Sequence, residues 1–470
     1  MFENKKTSII ILTYNNLNYN RICLESIRKY TTAETYEIIV VDNNSTDGTR
    51  EWLKEETDIK LILNDENVGF PKGCNLGIEA SEKDNDILFL NNDTKVTPRW
   101  LDNLKICLYS DEKIGATASI TNNCSNYQAI NVPYNDMENM IDFADKNNIS
   151  TPEKWEQKVR LVAFCMLIKR DVINKIGTFD DRFTPGNFED DDLCMRIIDA
   201  GYKLMVCNDS FIHHFGSTSF KKDYTRFNNI LKTNAQKFEE KWGFNSNSQS
   251  LLKFDVIDRI NEPNEKKLNI LEFNCDLGAT LLKLKYMYPN ASLYGIETNK
   301  NISKICGKMI EVMTEDFEES YIMNFKEEKS DFFDYIIIGN KLQFSKDPWK
   351  LLIELKKYLK PEGYIIATIP NIMHYSVIRG LLNGNFMYNK NSILNPHYNK
   401  FFTLLDIQKI FDECGYINPY IFHYYSEIPQ EDDNFLNKIC SIVGNNMKGY
   451  FISYEYVAKF QNNIACKNNY

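Results

Sequence analysis

Ser8-Ile9-Ile10-Ile11-Leu12-Thr13-Tyr14-Asn15-Asn16 decides how this chain folds. A β-branched run with no polar alternation is the pattern of a strand covered on both faces, as in a parallel sheet, and the polar residues after it mark the strand's exit. A helix follows, carrying Tyr19, Ile22, Cys23, Ile27 and Tyr30 on one face. A second strand, 36–41, ends in Asp42-Asn43-Asn44-Ser45-Thr46-Asp47-Gly48-Thr49, where Ser45 or Thr46 can cap the helix of Trp52 and Leu53. A third strand, 60–63, leads to Asn67-Val68-Gly69-Phe70 and a helix through Asn75 and Ile78. The fourth, 86–90, delivers Asn91-Asn92-Asp93. Four strands joined by three helices define a doubly wound α/β sheet, in which ligands bind beyond the carboxyl ends of the strands. Thr13-Tyr14, Asp42, Asn67-Gly69 and Asp93 all fall there. Asp42, Asn67 and Gly69 have plainer readings as turn or cap residues, but the shared placement of all these residues favours a site.

Past Asp93 the pattern changes. Residues 121–158 are rich in Asn with little periodicity and read as an irregular segment, an acceptor-binding loop or lid. Residues 159–169 are apolar and strand-like. Phe183-Thr184-Pro185-Gly186 reads as a loop before Glu189-Asp190-Asp191-Asp192, which starts a helix with Leu193, Ile197 and Ala200 inward and Gly201 at its end. The helix dipole favours carboxylates in a first turn, but four in a row exceed that need. Tyr202 to Val206 runs on to Phe211-Ile212-His213-His214-Phe215-Gly216-Ser217, where adjacent histidines at a strand end form a potential metal ligand.

Bulk properties bound the rest. At 470 residues the chain implies two or three domains, and 43% hydrophobic content suffices for their cores. A net charge of -10 argues against a nucleic-acid partner. The twelve cysteines include no C-x-x-C pair, and Cys165 and Cys207 sit in apolar runs, as reduced core thiols do. Met1 to Lys6 does not resemble a signal peptide, and no apolar run reaches the ~20 residues of a membrane span. The expectation is a cytoplasmic chain without a transmembrane segment, compatible with peripheral membrane contact.

On these motifs, residues 6 to about 245 resemble a family-2 glycosyltransferase of the GT-A fold. Asn-Val-Gly-Phe, Leu-Asn-Asn-Asp-Thr in place of D-x-D, Phe-Glu-Asp-Asp-Asp-Leu-Cys-Met-Arg and Ile-His-His-Phe-Gly-Ser carry the likeness, in that order. The resemblance implies inverting sugar transfer from a nucleotide sugar. It implies that Thr13, Tyr14 and Asp42 bind the nucleoside, Asp42 accepting the N3–H of uracil. Asn67, Gly69, Asn91 and Asn92 would border the donor. Asp93 would ligate manganese or magnesium, with His213 as the favoured histidine. Asp190 would be the general base, and Glu189 and Asp192 would shape its surroundings. A nitrogen ligand favours manganese.

Gly243 to Ser250 reads as a domain boundary, with a linker over 246–265 between a domain of 1–245 and one of 266–470. Glu272-Phe273-Asn274-Cys275-Asp276-Leu277-Gly278 then opens a second alternating pattern. Its strands fall at 267–273, 292–296, 335–338 and 364–369, with a helix over 349–359. This half resembles a class I methyltransferase that uses S-adenosylmethionine, with Glu297 at the position of the ribose-binding acid. It departs from that family where two of three loop glycines are Asn274 and Asp276, and a degenerate domain is the expectation. His374, Tyr375 and His397 are expected in core or surface roles.

The function implied is transfer from a UDP-sugar, N-acetylglucosamine the first choice, to a hydroxyl of a glycan or of a protein such as flagellin. Two alternatives stand beside it. One is a bifunctional enzyme that also methylates a surface glycan. The other makes the second half a module that binds the acceptor or joins two copies of the chain.

Overall fold

The computed structural model describes residues 5–216, 224–314, 329–390, 392–425 and 427–463. The chain divides into two compact units, Met1–Leu251 with Lys304–Met309, and Leu252–Ser303 with Ile310–Tyr470. Residues 246–265, read above as a linker, include two short helices, Ser246–Gln249 and Phe254–Ile257.

In the first unit the strands are β1 (Thr7–Thr13), β2 (Tyr36–Asp42), β3 (Ile59–Leu63), β4 (Asp86–Leu90), β5 (Thr94–Lys95), β6 (Ile114–Ile120), β7 (Trp155–Lys158), β8 (Cys165–Ile168), β9 (Lys203–Phe211) and β10 (His213–His214). Eight form one sheet in the order β3-β2-β1-β4-β8-β6-β9-β7, while β10 pairs with β5. The β3-β2-β1-β4 half is parallel, and β8 is antiparallel to both β4 and β6. The chain order reverses between β1 and β4, and a crevice opens at such a switch point. Ile9, Ile11, Val40, Leu88 and Leu90 pack with Trp100 and Leu104 in one core cluster, which explains the unbroken apolar runs.

Local capping differs from the sequence reading. Ser45 and Thr46 do not cap the helix Thr49–Leu53, whose Thr49 N–H donates to Asp47 Oδ1. Ser45 instead accepts the Asn15 N–H at 2.7 Å, and Asn15 Oδ1 accepts the Thr46 N–H at 2.8 Å. The loops after β1 and β2 are thereby tied together. Residues 121–158 are more ordered than expected. They hold a helix, Met137–Asn147, capped by Asp136, and strand β7. Of residues 159–169 only Cys165–Ile168 is strand. Among the described residues, no helix is long and apolar enough to cross a membrane.

The second unit holds β11 (Asn269–Phe273), β12 (Ser292–Glu297), β13 (Glu311–Thr314), β14 (Phe333–Gly339), β15 (Leu359–Pro370), β16 (Tyr416–Tyr425) and β17 (Ser453–Asn462). Their order is β13-β12-β11-β14-β15-β17-β16, with β17 antiparallel to both its neighbours. The switch point here lies between β11 and β14. Both units are therefore α/β folds built on mostly parallel sheets.

Candidate active site

The residues singled out at the strand ends of the first unit do meet. Thr13 Oγ1 donates to the Asn15 carbonyl and accepts from Asn92 Nδ2 at 3.1 Å. Tyr14 stands exposed beside it. Asp42 is fully buried, with Oδ2 held by the Ser45 N–H at 3.1 Å and Arg50 Nε at 3.3 Å. Its Oδ1 has no hydrogen-bond partner, an arrangement that costs ~1–3 kcal/mol unless a donor arrives. Asn67 Oδ1 accepts the Gly69 N–H and Asn43 Nδ2. Gly69 sits at φ +83°, and a Cβ there would lie 2.8 Å from Pro185 Cα, so only glycine allows this close approach. The Phe70 N–H donates to the Pro185 carbonyl at 2.8 Å, which seats the loop before the acidic helix on the Asn67–Phe70 turn.

At the exit of β4, Asp93 is buried, and its Oδ1 lies 3.0 Å from His214 Nε2. The histidine beside Asp93 is thus His214 and not His213. The reason is strand alternation. In the β5–β10 pair His214 stands opposite Thr94 and His213 opposite Lys95, so the two rings leave on different faces. His213 Nδ1 instead bonds the Tyr134 hydroxyl at 2.7 Å, and burial pulls its pKa down to about 4. Burial also depresses His214, but the hydrogen bond and charge of Asp93 outweigh this and raise its pKa. The Asn123 carbonyl fixes His214 Nδ1 at 2.7 Å. Phe164 stacks on the His214 ring at 5.6 Å, and Asn91 Nδ2 lies 3.5 Å from Nε2. Ser217, which closes the motif, lies outside the described residues.

Asn91 and Phe164 also line a cleft of about 470 Å³ that holds Glu189, Asp190, Asp191 and Arg160. Phe70, Phe188, Phe227 and Leu231 form its apolar wall. The four carboxylates begin the helix Glu189–Asp199, and helical geometry turns each successive side chain by ~100°, so they part company. Asp190 faces the cleft. Burial first, then the charge of Asp191, push its carboxyl up to about 7 against the opposing pull of Arg160. Glu189 is raised well above the ordinary carboxylate range, by burial first and then by the charge of Asp190. Asp191 pairs with Arg160 Nε at 2.7 Å and accepts from Ser246 Oγ at 3.0 Å. Asp192 is wholly buried away from the cleft. Its oxygens take Arg196 Nε at 2.9 Å, Lys241 Nζ at 2.6 Å and Trp242 Nε1 at 2.9 Å. It anchors the helix instead of shaping the site. The sequence reading missed Arg160 and Phe164. Their only signal is a lone arginine at the head of the apolar run Leu161-Val162-Ala163-Phe164.

Residues 8–177 match the family model for Glycosyl transferase family 2, and residues 244–418 match a Methyltransferase domain model. The chain is similar to Glycosyltransferase AglE of Haloferax volcanii, 26% identical over 211 residues that make up 43% of this chain and 64% of that protein. It is also similar to the O-antigen biosynthesis protein RfbC of Myxococcus xanthus, 25% identical over 46% of this chain and 18% of that one. It therefore spans less than two thirds of either relative. Among solved structures, GalNAc-T7 with UDP, GalNAc and Mn2+ shares 16% identity at a TM-score of 0.37, over 45% of this chain and 44% of that one. The chain thus joins a family-2 glycosyltransferase domain to a methyltransferase domain.

Proposed function

We propose that this protein transfers a sugar from a nucleotide sugar to an acceptor hydroxyl, with inversion at the anomeric carbon. The observation that carries the reading is Asp190, a carboxylate poised at about 7 in a cleft that shares Asn91 and Phe164 with the Asp93–His214 pair. In this reading Asp190 takes the proton of the acceptor hydroxyl. The freed oxygen attacks the anomeric carbon from the side opposite the diphosphate. The new C–O bond forms as the bond to the diphosphate oxygen breaks, and the nucleoside diphosphate leaves with both electrons. Arg160, paired with Asp191, holds the cleft's far wall.

Asp93 and His214 offer one oxygen and one nitrogen in contact. Among the described residues no three His, Cys, Asp or Glu side chains gather into a complete cage. That donor set fits a divalent cation that takes its remaining ligands from donor phosphates. Such a cation, manganese by preference, would neutralise the charge on the leaving diphosphate. The unpartnered Asp42 Oδ1 is an acceptor that a pyrimidine N3–H would satisfy, which fits a UDP-sugar, with N-acetylglucosamine as the first sugar to try. The kinship to an O-antigen biosynthesis protein favours a surface glycan over a protein as acceptor.

Calorimetric titration with UDP, GDP and dTDP, with and without Mn2+, tests the donor. UDP should bind in the low micromolar range, ~8 kcal/mol, and only with the cation. Equal binding of all three, or none, would remove the uracil assignment.

A further inference from the structure

A methyltransferase domain implies S-adenosylmethionine, and the residues at the switch point of the second unit do not fit it. The loop after β11 keeps the turns of a glycine loop with only Gly278 left of its three glycines. Asn274 sits at φ 48° and Asp276 at φ 54°, both left-handed, so two side chains project where close backbone approach to a cofactor would be needed. Asn274 Oδ1 is buried with no partner. Glu297, at the end of β12, spends its carboxylate on the loop itself. Its Oε2 accepts the Asp276 N–H at 3.0 Å and its Oε1 the Asn299 N–H at 2.9 Å.

The centre of the loop is taken by Lys253. Its ammonium lies 2.7 Å from Glu272 Oε1, 3.0 Å from the Asn274 carbonyl and 3.3 Å from Asp276 Oδ2. An ammonium has three hydrogens, and these three acceptors use all of them. The Lys253 N–H also donates to Thr280 Oγ1 at 3.1 Å, on the helix Ala279–Met287 that follows the loop. Glu272 has no exposed surface, so no ligand reaches its carboxylate without displacing the lysine. S-adenosylmethionine would bring two cations, its α-ammonium and its sulfonium, to a loop whose Glu272 and Asp276 carboxylates already engage the Lys253 ammonium. It would also bring a carboxylate toward Asp276.

We propose that Lys253 is a built-in substitute for a cofactor's positive charge, and that it locks the second unit into a closed scaffold that does not take S-adenosylmethionine. This inference stands apart from the glycosyl-transfer reading, since none of its residues belongs to that site.

The test uses the full-length protein. Titration with S-adenosylmethionine, and in parallel with the uncharged-sulfur product S-adenosylhomocysteine, should give no binding heat up to about 1 mM, the bound for negligible affinity. Thermal unfolding of Lys253→Met should fall by roughly 10 °C, because removing one partner strands the buried Glu272 charge. If that variant does not fold, Asp276→Asn keeps the size, removes one carboxylate from the lock and should lower the midpoint by a few degrees. A saturable isotherm at micromolar concentration for either compound overturns the proposal. So does a midpoint unchanged from wild type in the variant that is read.

Discussion

Asp190→Asn is the perturbation that isolates the proposed base. The amide keeps the shape of the side chain at the cleft but cannot take a proton. Positioned proton transfer contributes ~10²–10⁴-fold, so the turnover of the variant should fall by that factor, about 3–5 kcal/mol of barrier. The wild-type pH profile carries the second half of the argument. Burial and the Asp191 charge place Asp190 at about 7, above the ordinary carboxylate value. The base form is the deprotonated one, so activity must rise with pH. It should be roughly a tenth of its plateau at about pH 6, half near 7 and nine tenths at about pH 8. Initial rates of nucleotide release, with saturating donor and acceptor, give the profile, and calorimetry with UDP checks that donor binding survives. The variant should lose the acid limb and keep its UDP affinity. A turnover within ten-fold of wild type, or the same acid limb in the variant, would refute the role given to Asp190.

Four further substitutions probe the neighbouring parts. Asp93→Ala should lower metal-dependent turnover by ~10²-fold or more, since no adjacent carboxylate can replace it, and activity within a few-fold of wild type counts against it as a ligand. His214→Ala should match that loss in steady-state assays. His213→Ala, which releases Tyr134 and the edge of Phe215, should stay within roughly ten-fold, and the reverse ranking would restore His213 as the ligand. Gly69→Ala forces a Cβ to within 2.8 Å of Pro185 Cα at a left-handed φ, so chemical denaturation should show a loss of ~1–3 kcal/mol, and an unchanged midpoint would refute the close packing.

The parallel half of the first sheet was legible because β1, β2 and β4 are buried on both faces and read as unbroken apolar runs. The helix Met137–Asn147 was hidden by its many polar residues, although Met140 and Ala144 bury one turn apart on one face. Strand β7, Trp-Glu-Gln-Lys, lies at a sheet edge, where charge is tolerated and the apolar signal vanishes. At the site, residue types and order were legible, but direction was not. His213 and His214 differ only in which face of a two-residue strand they take, and that is set by pairing with Thr94–Lys95, over a hundred positions earlier. Asp192 was indistinguishable from Asp190 in sequence. Its partners Arg196, Lys241 and Trp242 are gathered by the fold. Lys253 lay inside the stretch read as a linker, where nothing local announces that its ammonium fills the loop after β11.

The central claim is that the Asp93–His214 pair and Asp190 act on a nucleotide sugar. Nucleoside-diphosphate release from a panel of UDP-, GDP- and dTDP-sugars, by the full-length protein with Mn2+, tests it most directly. The account predicts release of UDP from a UDP-sugar, dependence on the divalent cation, and loss of the signal in Asp93→Ala. Release that persists unchanged in Asp93→Ala, or no release from any donor by a folded, UDP-binding protein supplied with glycan acceptors, would contradict it.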